Sequence, residues 1–262
     1  LALTRRLAFV GVAGMLAIAV LSAIDVLVLR AIFNAPLAGS NEIFQTFFAV
    51  AVVSVFANGY AARAHLNVDI LGTRLSPRAR RALAVAGAAA LLLVLLLLAW
   101  RVAAHAAEAG GRGEATTILR LPTAPFLYAV AALIALCIPV QLMVLMSALR
   151  DLAPAPGARV PRAALPAILA GAAAVAAILW GTDALQPVLS KHGVAVAAIG
   201  FALLWILIVA MVPVAAALAA VGLAGAVALF GLPRALTVVG SETVGILANA
   251  DLAVIPLFLL MG

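Results

Sequence analysis

The chain has 262 residues, of which 68% are hydrophobic and only 10% are charged. A soluble domain carries roughly a quarter charged residues, so the composition excludes a soluble globular protein and indicates an all-α integral membrane protein, a multi-span helical bundle. The formal net charge of +7 does not indicate nucleic acid as a partner, because the arginines lie in short segments between apolar stretches, where membrane orientation and lipid headgroups account for them.

The apolar stretches predict about six complete membrane-spanning helices and the start of a seventh, because one span needs about 20 apolar residues. The predicted spans cover approximately residues 7–29, 42–60, 82–102, 122–148 and 163–181, then the apolar run 194–231, and a last stretch from residue 252. The run 194–231 is nearly twice the length of one span, and Pro213 lies near its middle. Two spans with a tight turn are favoured, and one broken helix is the alternative.

Arg5 and Arg6 precede the first span, which predicts a cytoplasmic N-terminus. Asp25 and Arg30 lie at the other end of this span. Two interpretations are open for them. Either both side chains reach toward the membrane interface, or they form a buried pair or a contact with another subunit.

A short loop rich in turn-forming residues, 33–42, follows the first span. Ser40 or Asn41 is predicted to cap the second helix. Glu42 would then lie in the first turn of that helix, near the positive end of its dipole, which is a structural role.

The longest polar interruption in the first half of the chain covers residues 60–81, where five arginines, Arg63 among them, outnumber a single acid, Asp69. This charge bias predicts a cytoplasmic segment. Its apolar spacing predicts a short helix in the membrane interface. His65 and Asp69 are four residues apart and would meet on that helix, either as a solvated pair or as a contact that holds the segment against a partner helix or a headgroup.

The second half of the chain suggests a domain boundary. Residues 151–161 are rich in proline and small residues, as in a linker, and an alanine-rich span follows. We therefore predict three parts: a four-span domain over 1–150, a linker with a bridging transmembrane helix over 151–192, and a further membrane domain over 193–262. The loop 105–122 and the polar segment 234–251 are predicted to lie outside the cytoplasm.

The sequence shows no catalytic or metal-binding pattern. His65, His105 and His192 lie in different loops, none at metal-ligand spacing from a cysteine or a paired acid, and Cys137 lies within an apolar span. No glycine-rich phosphate loop occurs, and no acid lies at the centre of a predicted span. We expect neither an enzyme nor a bound cofactor.

Several segments resemble one transporter family. Residues 30–42, the segment 62–71 and the sequence Ile118-Leu-Arg-Leu-Pro122 resemble the small membrane subunit of tripartite ATP-independent periplasmic (TRAP) transporters. Residues 211–218 and 253–262 are similar to the start of the large membrane subunit of the same family. The resemblance implies a fusion of the two subunits that is incomplete in the large one, and the lack of an initial Met and the end inside an apolar run lead us to expect a longer chain.

The resemblance also implies a function. Such transporters import organic acids, commonly carboxylates or sialic acids, across the bacterial inner membrane, with sodium as the coupling ion and a periplasmic substrate-binding protein as partner. The substrate and sodium sites would lie in the remainder of the large subunit, beyond residue 262. Glu42, Arg63, His65 and Asp69 match the small subunit, where their role is structural. The alternative is a structural or assembly subunit of another membrane complex, without transport.

Overall fold

The fold is helical throughout the residues that the structure, a computed structural model, describes: 2–35, 37–61, 77–152, 186–209 and 212–249. Apart from an antiparallel bridge between Ala115 and Pro122, this part of the chain contains no strand. The prediction of an all-α membrane protein is confirmed. The helices are α1 (Ala2–Ile24) with a π-helical extension (Asp25–Arg30), α2 (Ser40–Ala61), α3 (Pro77–Gly111), α4 (Ala124–Leu152), α5 (Gln186–Leu189) with a 3₁₀ turn (Ser190–His192), α6 (Gly193–Val209), α7 (Val214–Phe230) and α8 (Leu232–Leu247).

Five helices in the described ranges are long and apolar enough to cross a membrane. They cover Thr4–Arg30, Ser40–Tyr60, Arg81–Gly111, Ala124–Asp151 and Pro187–Ile208. The first four correspond to the first four predicted spans. The predicted alanine-rich span and the last stretch from residue 252 lie outside the described residues, as does most of the polar segment 60–81.

Two predicted boundaries were wrong because the helices continue beyond their apolar cores. Helix α3 has 35 residues, or about 52 Å, against a hydrocarbon thickness of about 30 Å. The predicted loop 105–122 is therefore helical as far as Gly111, and His105 lies on a helix. Helix α4 likewise continues past the predicted end of the fourth span near residue 148, through Asp151 and Leu152.

The apolar run 194–231 contains two helices, which agrees with the favoured interpretation in their number, but only the first is long enough to count as a candidate span. Helix α6 ends at Val209 and α7 begins after Pro213. The two are antiparallel neighbours, because a Cβ at Gly193 would lie 3.9 Å from Leu229 and a Cβ at Gly200 would lie 3.5 Å from Val221. Helix α7 has 17 residues, slightly fewer than the roughly 20 that a perpendicular span requires.

The contacts divide the chain into two units. Unit 1 comprises the described residues within 1–62, 98–137 and 240–262. Its packing is clearest between α1 and α2, where Ile18, Phe44 and Phe48 form a buried cluster. A Cβ at Gly11 would lie only 2.6 Å from the carbonyl oxygen of Ala51. Small residues of this kind let membrane helices approach closely where lipid offers no hydrophobic drive to association.

Unit 2 comprises the described residues within 63–97 and 138–239. Val85 and Ala88 of α3 pack against Leu145 and Leu149 of α4. The fully buried Gln141 crosses between the same helices and donates a hydrogen bond from Nε2 to the Ala88 carbonyl oxygen at 3.0 Å. This bond satisfies the amide nitrogen, whereas Gln141 Oε1 is buried without a hydrogen-bond partner among the described residues, so the cost of burying the amide is only partly compensated.

The close approach at Gly11 generates a matched pair of variants. We expect Gly11→Ala to destabilise unit 1 by about 1–3 kcal/mol, because the new methyl group overlaps the α2 backbone. Gly14→Ala adds the same methyl group 3.5 Å from the Ala51 Cβ, an ordinary contact, and should be neutral or stabilising because alanine favours the helix. Thermal unfolding of both variants in detergent measures the difference. An unchanged midpoint for Gly11→Ala would show that the helices are farther apart.

Candidate functional site

The candidate site lies at the end of unit 1 where two loops meet. The first loop (31–35 and 37–39) connects α1 to α2, and the second (112–123) connects α3 to α4. We call the surface that these two loops form the loop face. Each loop is held by one carboxylate, which belongs to the end of a neighbouring helix.

Asp25 holds the first loop. The π-helical segment Asp25–Arg30 begins with this residue, and its side chain is 4% exposed. One carboxylate oxygen accepts a hydrogen bond from the Leu37 backbone N–H at 2.8 Å, and the other accepts one from the Ser40 hydroxyl at 3.0 Å. Arg30 lies 3.5 Å away and is half exposed. The buried carboxylate is therefore satisfied mainly by the loop and by Ser40.

The two members of the predicted pair thus differ. Asp25 is buried, whereas Arg30 reaches the surface, so neither interpretation of the sequence describes both residues. The expected cap also differs, since the Ser40 hydroxyl donates to Asp25. A π-helical turn widens a helix and re-aims its side chains, and it often occurs at functional positions.

Glu42 holds the second loop. It lies in the first turn of α2, as predicted, but its carboxylate contacts the loop that connects α3 to α4. The Ile118 and Leu119 backbone N–H groups donate to its two oxygens at 2.7 and 2.9 Å. Hydrogen bonds to an ionised acceptor are stronger than those between neutral groups. Glu42 therefore links the start of α2 to the second loop, in addition to any effect on its own helix.

The second loop is itself a compact hairpin around the Ala115–Pro122 bridge. The Thr116 N–H donates to the Leu121 carbonyl oxygen, and the Leu121 N–H donates to the Thr116 hydroxyl oxygen, both at 2.9 Å. At its base, the Thr123 hydroxyl donates to the Glu114 carbonyl oxygen at 3.0 Å. These bonds, together with Glu42, give the hairpin one defined conformation.

The two loops also touch. Gly39 has a φ of +77°, and a Cβ there would lie 2.6 Å from Leu119 Cγ. Only glycine has both the left-handed backbone freedom and the space that this contact requires. The loop face exposes a set of large apolar side chains: Ile32, Phe33, Leu37, Ile118 and Leu119. An exposed cluster of apolar residues marks a surface that contacts either another protein or the membrane.

A cavity of about 210 Å³ also lies within unit 1, lined by residues of α2, α3, the hairpin, α4 and the end of α8. Helix α8 approaches α3 closely, since a Cβ at Gly240 would lie 3.1 Å from the Arg101 carbonyl oxygen. His105, which the sequence placed in a loop, lines this cavity. In the described ranges, no three His, Cys, Asp or Glu side chains group as metal ligands.

Of the residues singled out from the sequence, the structure brings Asp25, Arg30 and Glu42 to the loop face. Arg63, His65 and Asp69 lie outside the described residues. The backbone donors of Leu37, Ile118 and Leu119 were missed, because a backbone N–H leaves no trace in a sequence. The one available signal was the resemblance of residues 30–42 and 118–122 to the same subunit, which marks both loops.

Comparison with known proteins identifies the family. Residues 18–151 match the family described as "Tripartite ATP-independent periplasmic transporters, DctQ component". This is just over half of the chain, which therefore belongs to the DctQ family of membrane components of TRAP transporters. No curated protein and no solved structure matches the chain. Both carboxylates and both loops lie within the matched residues, whereas α5 to α8 follow them.

Glu42 generates a prediction about the hairpin. We expect Glu42→Gln to accelerate amide hydrogen exchange at Ile118 and Leu119 several-fold, because a neutral amide offers one acceptor in place of two ionised oxygens. Exchange measured by mass spectrometry on peptides covering 114–123 tests this. Glu108→Gln is the matched control, since Glu108 meets only Arg112 at 4.0 Å on the surface. Equal exchange in the two variants would contradict the role of Glu42.

Asp25 generates a second prediction. Asp25→Ala should lower the unfolding midpoint in detergent and deprotect the Leu37 amide, because it removes the acceptor of two donors. Arg30→Ala should do neither to a measurable extent, since a half-exposed ion pair contributes little. If Arg30→Ala destabilises the protein as much as Asp25→Ala, then Asp25 stabilises the protein through its ion pair with Arg30 and not through its hydrogen bonds to the loop.

Proposed function

We propose that this chain is the fused membrane component of a sodium-coupled TRAP transporter that imports organic acids, of the carboxylate or sialic-acid type, from a periplasmic substrate-binding protein. In this proposal, residues 1–150 correspond to the small component, 151–192 to a linker with a bridging helix, and 193–262 to the start of the large component. Membership of the DctQ family supports the class of transporter, and the resemblance of residues 211–218 and 253–262 to the large component supports the fusion.

The observation that carries the role of this chain is the loop face. A soluble partner that docks and leaves repeatedly gains affinity from a surface that is already ordered, because no loop has to be fixed on binding. Asp25 and Glu42 order the two loops in this way, and Ile32, Phe33 and Ile118 are the exposed apolar groups that a partner would cover. We infer that the loop face is part of the surface that receives the binding protein.

The proposal requires the loop face to be periplasmic. The arginine bias of residues 60–81 supports this orientation, since that segment leaves the opposite end of α2 and would be cytoplasmic in the bacterial inner membrane. An N-terminus inside the cell follows from the same arrangement, because α1 then ends on the periplasmic side.

Sodium-driven uptake tests the function. The complete encoded transporter is reconstituted in liposomes with its binding protein outside, and labelled organic acids are supplied. We expect uptake that needs both an inward sodium gradient and the loaded binding protein. Ile118→Asp should raise the binding-protein concentration that gives half-maximal uptake several-fold, because it places a charge in an apolar contact, and it should leave the maximal rate unchanged.

Arg150→Ala is the control for that experiment. This residue is exposed in the last turn of α4, and the variant should behave like the wild type. Uptake that occurs at the same rate without the binding protein would contradict the proposal. A stable complex with other membrane proteins and no uptake under any gradient would favour the alternative, a structural or assembly subunit.

A further inference from the structure

The cavity in unit 1 has an apolar part and a polar part. The apolar part is lined by Phe126, Leu127 and Val130 of α4 and by Val244 and Leu247 of α8. At about 210 Å³, the cavity is smaller than the roughly 300–1,000 Å³ of sites that enclose a whole drug-sized ligand. It has room for a small headgroup and a few methylene groups.

The polar part contains hydrogen-bonding side chains that have no partner among the described residues. Gln45 and His105 line the cavity, and within the described part of the chain neither side chain has a hydrogen-bond partner. Gln45 is exposed, so the cavity is reached from outside the protein. An amphiphile entering there would place its polar end against these groups and its carbon chain against the apolar wall.

The charged residues at the cavity determine whether a cationic or an anionic headgroup is favoured there. Among the described residues, Glu114 is the one acid that lines it, and no lysine or arginine of these ranges does. One Glu114 oxygen accepts the Arg112 Nε–H at 2.9 Å, and its second oxygen has further acceptor sites. An anionic headgroup would meet this carboxylate without a cation inside the cavity, whereas an ammonium group would be attracted to it.

Arg112, next to the cavity, adds a positive charge that could bind an anionic group of the same ligand. One of its terminal nitrogens lies 4.0 Å from Glu108, and because the side chain is 58% exposed, the guanidinium can still be reached beside Glu114. An acid and a base side by side suit a zwitterion, in which an ammonium meets the carboxylate and a phosphate meets the guanidinium.

Helix α8 completes the cavity. It follows the residues that match the DctQ family, and Gly240 allows its close approach to α3 at Arg101 and His105. Because Val244 and Leu247 lie one and two turns further on, the same approach brings them to the apolar wall. The cavity is therefore shared between the family portion and the chain that follows it.

We propose that this cavity binds a primary ammonium group carried on an apolar chain, with Glu114, His105 and Gln45 at the ammonium and α4 and α8 around the first methylene groups. The proposal does not depend on the transport function or on the orientation in the membrane. Two sources supply this chemistry, an aminophospholipid and a free alkylamine.

Binding is measured on the purified full-length protein with octylammonium, octyltrimethylammonium and octyl sulfate, by native mass spectrometry and by the shift in unfolding midpoint. We expect octylammonium alone to bind at one site and to raise the midpoint. The trimethylated probe has the same charge but no N–H donor, and octyl sulfate has the opposite charge. If phosphatidylethanolamine displaces octylammonium and phosphatidylcholine does not, the natural ligand is a lipid. If octylammonium stays bound in the presence of either lipid, the natural ligand is a free amine.

Three variants locate the site. Ala49→Leu, which lines the cavity, should fill it and abolish binding, whereas Ala132→Leu, an exposed position on α4, should not. Glu114→Gln should weaken octylammonium binding several-fold. Unchanged binding in both Ala49→Leu and Glu114→Gln, or equal binding of octyl sulfate, overturns the proposal. If Ala49→Leu does not fold, Ala248→Leu fills the cavity from the end of α8 and decides the question.

Discussion

The loop face depends on one constraint, the need of a backbone N–H at the end of a membrane bundle for a partner. Asp25 accepts the Leu37 N–H, and Glu42 accepts those of Ile118 and Leu119. These N–H groups are exposed or half-buried, and a bond to an ionised carboxylate holds them more strongly than a bond to a neutral group would. Two carboxylates at helix ends thus fix the conformation of two loops. The exposed apolar side chains of the loop face are held in place as a consequence.

The second constraint is close packing of helices, and glycine allows it at two helix contacts within unit 1. Lipid tails are as apolar as leucine, so helices in a membrane associate through fitted packing and hydrogen bonds. Gly11 brings α1 against the backbone of α2, and Gly240 brings α8 against the backbone of α3. The first contact joins α1 and α2, the two helices that the first loop connects. The second joins the chain beyond the DctQ match to the part within it, and a cavity remains beside that contact.

The sequence was sufficient for the features that depend on local composition. Apolar length identified four spans, and Pro213 marked the place where α6 and α7 separate, because proline in a helix interior removes one hydrogen bond and clashes with the preceding turn. Proline alone does not decide this, since α4 continues through Pro139. Composition did not locate the end of α3. The segment from His105 to Gly111 is polar but still helical, since a helix can continue into water when its side chains favour it.

The site was less accessible to sequence reasoning than the fold. Glu42 was correctly placed in the first turn of α2, but a helix-dipole role and a loop-holding role require the same residue at the same position. What distinguishes them is the partner, and the partners are backbone groups 76 and 77 residues away. For Asp25 the difficulty was burial, which depends on how the loop folds back over the helix end. Tertiary contacts of this kind become visible only once both loops are in place.

The position of the acids relates this architecture to the role of a DctQ-family component. In the described spans, Asp25, Glu42, Glu108 and Asp151 all lie near helix ends. Coupled transport relies on ligands near the middle of the membrane, whereas acids at helix ends act on loops and on surfaces. The same carboxylates that are unsuited to carry an ion across the bilayer are well placed to keep a surface ordered. In this DctQ-family component, Asp25 and Glu42 order the loops at the helix ends.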